Sequence, residues 1–394
     1  MAEQALSRWE TLRRNPFRIF FPLGIVAGLL GVGHWALWTI GYPVGNIKLL
    51  HLTLQSQGFL TFFVIGFLMT AFPRFSGTDS ATLPEIGAAL FGGLIFLVAA
   101  FLREWRISQI GYLLLLFTIP IFAGRRISKR TKDLPPSFLL LGFGLLHAFL
   151  GALLSIATNM GEGSVYLFSV GRQMVQVGFL LCMVLGITAK LAPFLTGYTD
   201  DPGCDEGRGR FCLPRSSEII THGVTGALLL FSFFLEPYWP RLAFGLRATL
   251  ATLHLLLFAK IGRPLRKKTA TIVFFWISCW MIPLGFWLAF FLPQYRVAAL
   301  HVVFIGGFSL MIFSFGMLVV LSHSGKAALL NGKLWALKTV GVMALLALGF
   351  RLSADFVPNG YMVFLHSASG FWIVGALIWL LYAIPKMRGA HHEH

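Results

Sequence analysis

Windows of about twenty consecutive apolar residues recur twelve times along this chain, near 17–40, 49–72, 86–102, 107–123, 136–157, 172–195, 217–236, 241–259, 270–291, 297–321, 334–352 and 361–385. A window of that length spans the hydrocarbon core of a bilayer as a helix. Lipid offers the backbone no hydrogen bonds, so only a structure that satisfies its own amides can cross it. The expected fold is therefore all-α: a polytopic membrane protein of about twelve helices, forming one integral domain over residues 1–394. Charged residues are only 12% of the chain, against about 25% in soluble domains. The first apolar run has no small-residue cleavage site after it and reads as a retained span. Cys182 and Cys279 fall inside apolar spans and read as packing residues. Cys204 and Cys212 share the long polar loop at 196–216; two cysteines alone are weak grounds for a metal site.

The net charge of +17 raises nucleic acid as a partner, but its distribution argues for membrane topology. With the N-terminus inside, about three in four of the 32 Lys and Arg residues fall on the inner side, including "RRISKRTK" at 125–132 and "KIGRPLRKK" at 260–268. That is the positive-inside bias. It predicts cytoplasmic termini in a bacterial inner membrane, with the lipid bilayer as partner and no nucleic acid.

The chain also repeats itself. "GFLTFFVIGFLMTAFPRFSG" (58–77) lies over "GFLLCMVLGITAKLAPFLTG" (178–197) without a gap, matching Gly58 to Gly178, Gly66 to Gly186, Pro73 to Pro193 and Gly77 to Gly197. The offset is four spans. "GFSLMIFSFGMLVVLSHSG" (307–325) is a weaker echo four spans on, opening on Gly-Phe and lacking the proline. Spans 2, 6 and 10 are thus expected to anchor three four-helix units.

Polar residues in hydrocarbon are costly and mark function. His34, His51, His301 and His366, from spans 1, 2, 10 and 12, all fall in the outer half of the membrane. Imidazole suits Zn, Cu and Fe and is a common axial ligand of haem. A haem in a bundle needs two histidines on facing helices and cations near the surface for its propionates. His51 is the expected axial ligand of a b-type haem, with His301 the favoured partner and His366 the reserve. Arg172 and Arg351 are candidates for the propionates. Gln55, one turn from His51 on the same face, orients a ligand or meets a small molecule. His222, His254 and His323 lie toward the inner face and pose a weaker three-histidine metal site. "HHEH" (391–394) reads as a solvated tail.

The stretches "NPFRIFFPLG", "GFLTFFVIGFLMTAFPRFSGT" and "LHVVFIGGFSLMIFSFGMLVVLSHSGK" together resemble the NnrS family of bacterial membrane proteins. The resemblance runs over essentially the whole chain. It implies a haem- and copper-containing protein of the response to nitric oxide and nitrosative stress, and it carries over His51, His301 and His323. Many members have His-Ala-His-Glu at the head of span 2, where this chain has His51-Leu52-Thr53-Leu54. A looser likeness, of architecture alone, is to subunit I of the haem–copper oxidases, which has twelve helices, threefold pseudosymmetry and haem histidines on helices 2 and 10.

The leading expectation is a haem protein that binds or turns over nitric oxide, or passes electrons from quinol. Its rival is a transporter using the histidines as a path for protons, metal ions or a small molecule. Against the rival, the acids Asp355 and Glu236 stand at helix ends, whereas a proton-coupled carrier commonly places one in mid-membrane. A third reading is a stress or assembly factor without turnover.

Overall fold

The computed structural model describes residues 7–42, 45–158, 164–198, 214–332 and 334–388. Cys204, Cys212, most of the 196–216 loop and the 391–394 tail lie outside the described residues. The chain is helical, with no strand among the described residues. A short helix α1 (Arg8–Arg14) starts where the Ser7 hydroxyl accepts from the Glu10 amide at 3.2 Å, an N-cap that satisfies one orphan donor. Twelve long helices follow: α2 (Phe17–Thr39), α3 (Ile47–Ser76), α4 (Leu83–Phe101), α5 (Trp105–Ile127), α6 (Pro136–Ala157), α7 (Val165–Thr196), α8 (Arg215–Leu235), α9 (Pro240–Leu257), α10 (Ala270–Phe291), α11 (Pro293–His323), α12 (Trp335–Phe356) and α13 (Pro358–Met387).

Eleven of these are long and apolar enough to cross a membrane; the chain is a multi-pass membrane protein. The exception is α9, the expected eighth span. It has the length but carries Arg241, Arg247 and His254. Arg247 and His254 are buried, so much of the polarity that lowers its hydropathy points into the bundle.

The packing gathers the helices into three groups of four: α2–α5, α6–α9 and α10–α13. Their ends close a ring, with α5 against α6, α9 against α10 and α13 against α2. Helices α3, α7 and α11 are innermost. Their most apolar stretches are 83, 61 and 72% buried, against 33–50% in the other spans.

Each inner helix widens once into a π-helical turn: Leu54–Leu60, Met174–Gly178 and Val302–Ser309. A wide turn frees a carbonyl from its usual donor. In α3, side chains take up the slack: Ser56 Oγ donates to the Leu52 carbonyl at 2.6 Å and Thr61 Oγ1 to that of Ser56 at 2.9 Å. The turns begin at Leu54, Met174 and Val302. The helix-ending left-handed glycines are Gly77, Gly197 and Gly325, with φ of +66°, +90° and +67°. Both landmarks recur with the same spacing, 120 and then 128 residues. This sets the third repeat one residue from its sequence echo, since Gly306 rather than Gly307 stands where Gly58 and Gly178 do.

Glycine is required inside these turns by close approach. A Cβ on Gly58 would lie 2.8 Å from Ala27 Cβ, and one on Gly306 would lie 3.0 Å from Leu348 Cδ2. One on Gly178 would overlap the His147 ring. The repeat extends to the preceding helices: Gly24 of α2 would meet the Phe59 carbonyl at 3.0 Å, and Gly144 of α6 the Phe179 carbonyl at 3.0 Å.

Candidate functional site

His51 lies in the first turns of α3, and its Nδ1 sits 3.1 Å from the Gly31 carbonyl of α2. One turn on, the Gln55 amide donates to the Gly28 carbonyl at 2.7 Å. The two polar side chains of α3 therefore rest on carbonyls of α2 beside glycines. A Cβ on Gly31 would come 2.9 Å from Gln55 Nε2 and 3.0 Å from Leu54 Cβ. The edge of the His51 ring meets Trp35 at 5.9 Å.

His301 lies just before the π turn of α11, and its Nδ1 is 2.7 Å from the Val297 carbonyl one turn back. A carbonyl can only accept, so Nδ1 of each ring carries the proton. Each Nε2 is then left with a lone pair, and neither has a hydrogen-bond partner among the described residues. That tautomer, with a carbonyl behind it, is the one an imidazole uses to ligate a metal. His51 and His301 lie within electrostatic reach of each other, and Arg351 of α12 acts on both. Arg351 is buried and pairs with Asp355, one turn on, at 3.1 Å. Two imidazoles and one guanidinium, from α3, α11 and α12, thus share one end of the bundle.

The other sequence candidates fall elsewhere. His34 Nδ1 lies 2.5 Å from the Leu30 carbonyl, with its ring against Phe101. His366 is exposed and bonds Thr39 Oγ1 of α2 at 2.9 Å. Arg172 lines a polar cleft between α3, α5, α6 and α7. The three-histidine group toward the other end divides. His222 Nδ1 and His254 Nε2 are 3.1 Å apart, with both rings against Phe258. His323 instead bonds Arg74 of α3 and packs on Phe17. No cluster of three or more His, Cys, Asp or Glu suited to a metal ion occurs among the described residues.

Two polar constellations were not anticipated from the sequence. Gln57 of α3 and Gln109 of α5 form a reciprocal amide pair at 2.8 and 2.9 Å. Glu236, taken as a helix-end acid, follows α8 but is buried. Its carboxylate accepts from Arg247 Nη1 at 2.6 Å and Gln173 Nε2 at 3.3 Å, and Arg296 stands 3.5 Å away. The available signal was Arg247 itself, an arginine in the middle of an apolar span.

A family model described as NnrS protein matches residues 11–390. The chain belongs to the NnrS family. Membership supports a role in the response to nitric oxide and nitrosative stress. No curated protein matches the NnrS chain in sequence.

Proposed function

We propose that this NnrS protein holds a b-type haem between α3 and α11, with His51 and His301 as the residues that would ligate it, in the bacterial inner membrane. The supporting observation is that both imidazoles have Nδ1 engaged by a backbone carbonyl and, among the described residues, Nε2 without a partner. The donor set also fits the rest of the group. Gly31 lets α2 lie close against the Leu54–Gln55 turn of α3 that follows His51, and Trp35 and Phe304 supply aromatic walls. Arg351 is the cation for a propionate. On the positive-inside bias the termini are cytoplasmic and the site lies near the outer face.

Such a haem supplies one-electron chemistry when both histidines hold it, and a position for nitric oxide when only one does. This chain's own residues do three things. The Gly31 and Val297 carbonyls hold the rings in one tautomer and orientation. Gln55 fastens α3 to α2 one turn away. The pair of buried Arg351 and half-buried Asp355 sets the charge beside the site. Quinol as electron donor and copper as a further metal belong to the same reading, with His323 and His366 the remaining histidine candidates.

A transporter is the second reading. It is favoured by one observation, the buried His222–His254 pair at 3.1 Å in α8 and α9. Iron content separates the two. We expect protein purified in detergent from haem-replete cells to show the sharp reduced bands of a low-spin haem b after dithionite. We expect His51→Ala and His301→Ala each to lose most of that absorbance. A colourless wild-type protein without iron or copper would overturn the haem reading and leave transport.

A further inference from the structure

A second polar site lies across α3 from His51. Thr53 and Gln57 of α3, Trp105 and Gln109 of α5, and Arg172 and Gln176 of α7 line one cleft, and no carboxylate among the described residues does. Gln57 and Gln109 spend one N–H and one carbonyl each on their pair and keep a second amide N–H. Among the described residues, the Gln176 amide and the Trp105 indole N–H have no hydrogen-bond partner. Arg172 Nε is enclosed and has none either; the guanidinium rests over the Phe168 ring at 5.5 Å.

An interfacial anchor does not explain Arg172. It lies seven residues into α7, about 10 Å from the helix start at 1.5 Å per residue. A charge at that depth is costly unless something answers it. Among the described residues, the carboxylate within electrostatic reach is Glu236, which is already held by Arg247, Arg296 and Gln173. Three arginines gather round one acid, and Arg172 forms no ion pair with it. The cleft is therefore rich in donors and short of negative charge.

We propose that this cleft binds a small, planar, monovalent oxyanion, gripped by the Arg172 fork and the Gln176 amide with the Gln57–Gln109 pair beneath it. A guanidinium matches two coplanar oxygens, amides complete the shell, and one negative charge is what Arg172 lacks among the described residues. This inference does not rest on the haem reading.

The test is calorimetric titration of the detergent-purified full chain with sodium formate and with sodium nitrate, at constant ionic strength. We expect one site in the wild-type protein, weakened at least about tenfold by Arg172→Gln and about three- to tenfold by Gln176→Leu. We expect Arg388→Gln to leave it unchanged. Should Arg172→Gln fail to fold, Arg172→Lys keeps the charge but loses the fork, and a severalfold loss is expected from it. Binding retained by His51→Ala separates this site from the haem. Binding that emerges only in His51→Ala would make the cleft the seat of a haem propionate and overturn the proposal. Absence of binding by the wild-type protein up to about 50 mM, weaker than any specific site of this size should be, would also overturn it. So would binding undiminished in both the Arg172 and Gln176 variants.

Discussion

Helices α3 and α7 are two editions of one design, related by 120 residues. They share the π turn, the glycine inside it and the left-handed glycine that ends the helix. They differ in what they carry. His51 of α3 corresponds to Gly171 of α7, and the Gly31 carbonyl that receives His51 corresponds to that of Gly151. In α7 there is no room for a ring. A Cβ on Gly171 would lie 2.7 Å from Leu154 Cβ and 3.0 Å from the Gly151 carbonyl. One helix pair therefore opens to admit an imidazole, and the other closes glycine to glycine and puts its charge on Arg172 instead. The third copy teaches the same lesson from another side. By the 128-residue spacing, Ala299 of α11 stands in the place of Gly171 and His51, and His301 is two residues on. Equivalent positions in a threefold ring face three different interfaces. The two histidines proposed to share a haem come from non-equivalent positions, as that geometry requires.

The largest effect expected on this contrast comes from unit two. Glu236→Ala leaves buried Arg247 with its Ser232 hydrogen bonds but without its counter-charge and should destabilise the protein by about 3–5 kcal/mol, read as a large fall in the melting temperature in detergent. His51→Ala, in a half-buried place, should cost far less stability while removing haem absorbance. If the two variants melt alike, the charge-bearing and histidine-bearing units are not the different structures argued for above.

Copying the histidine across is the next test. Gly171→His should cost about 1–3 kcal/mol or more through overpacking against α6 and should not raise the iron content. A folded variant of unchanged stability would show that the α6–α7 contact is looser than the glycine packing demands.

The amide pair sharpens the comparison further. Gln57→Leu strands the buried Gln109 amide and should cost about 1–3 kcal/mol, whereas Gln57→Leu combined with Gln109→Leu should recover part of that loss. Strictly additive losses would mean that the pair contributes no coupling.

The smallest effect belongs to the helix ends. A Cβ on Gly325 meets nothing within 4 Å, so Gly325→Ala should cost only the left-handed strain, about 1–2 kcal/mol. Gly77→Ala should cost more, because its Cβ would also run into Thr131. Equal shifts in melting temperature would contradict that ranking.

Much of the architecture was legible in the chain. Apolar windows marked the spans because a bilayer imposes a length and forbids unsatisfied backbone. The gapless match of 58–77 to 178–197 identified two of the three inner helices. Proline and glycine recur there because the same wide turn and the same helix end recur. The third copy was faint, since its proline is absent and its register is moved by one residue. Histidine depth was legible for the same reason as the spans: rise per residue is constant, so His34, His51, His301 and His366 could be placed at one end.

Azimuth was not legible. Depth follows from counting along one helix, but which histidines face each other depends on how helices rotate and pack. An inserted π residue turns everything beyond it. The sequence by itself determined an all-helical membrane bundle in three related units, and the end at which its histidines lie. Only the tertiary structure decided that His51, His301 and Arg351 come within electrostatic reach of one another, that His34 and His366 bond elsewhere, and that Glu236 is buried among arginines. Those outcomes rest on close contacts between helices far apart in the chain, set by single glycines such as Gly31 and Gly151 whose neighbours no local pattern reveals.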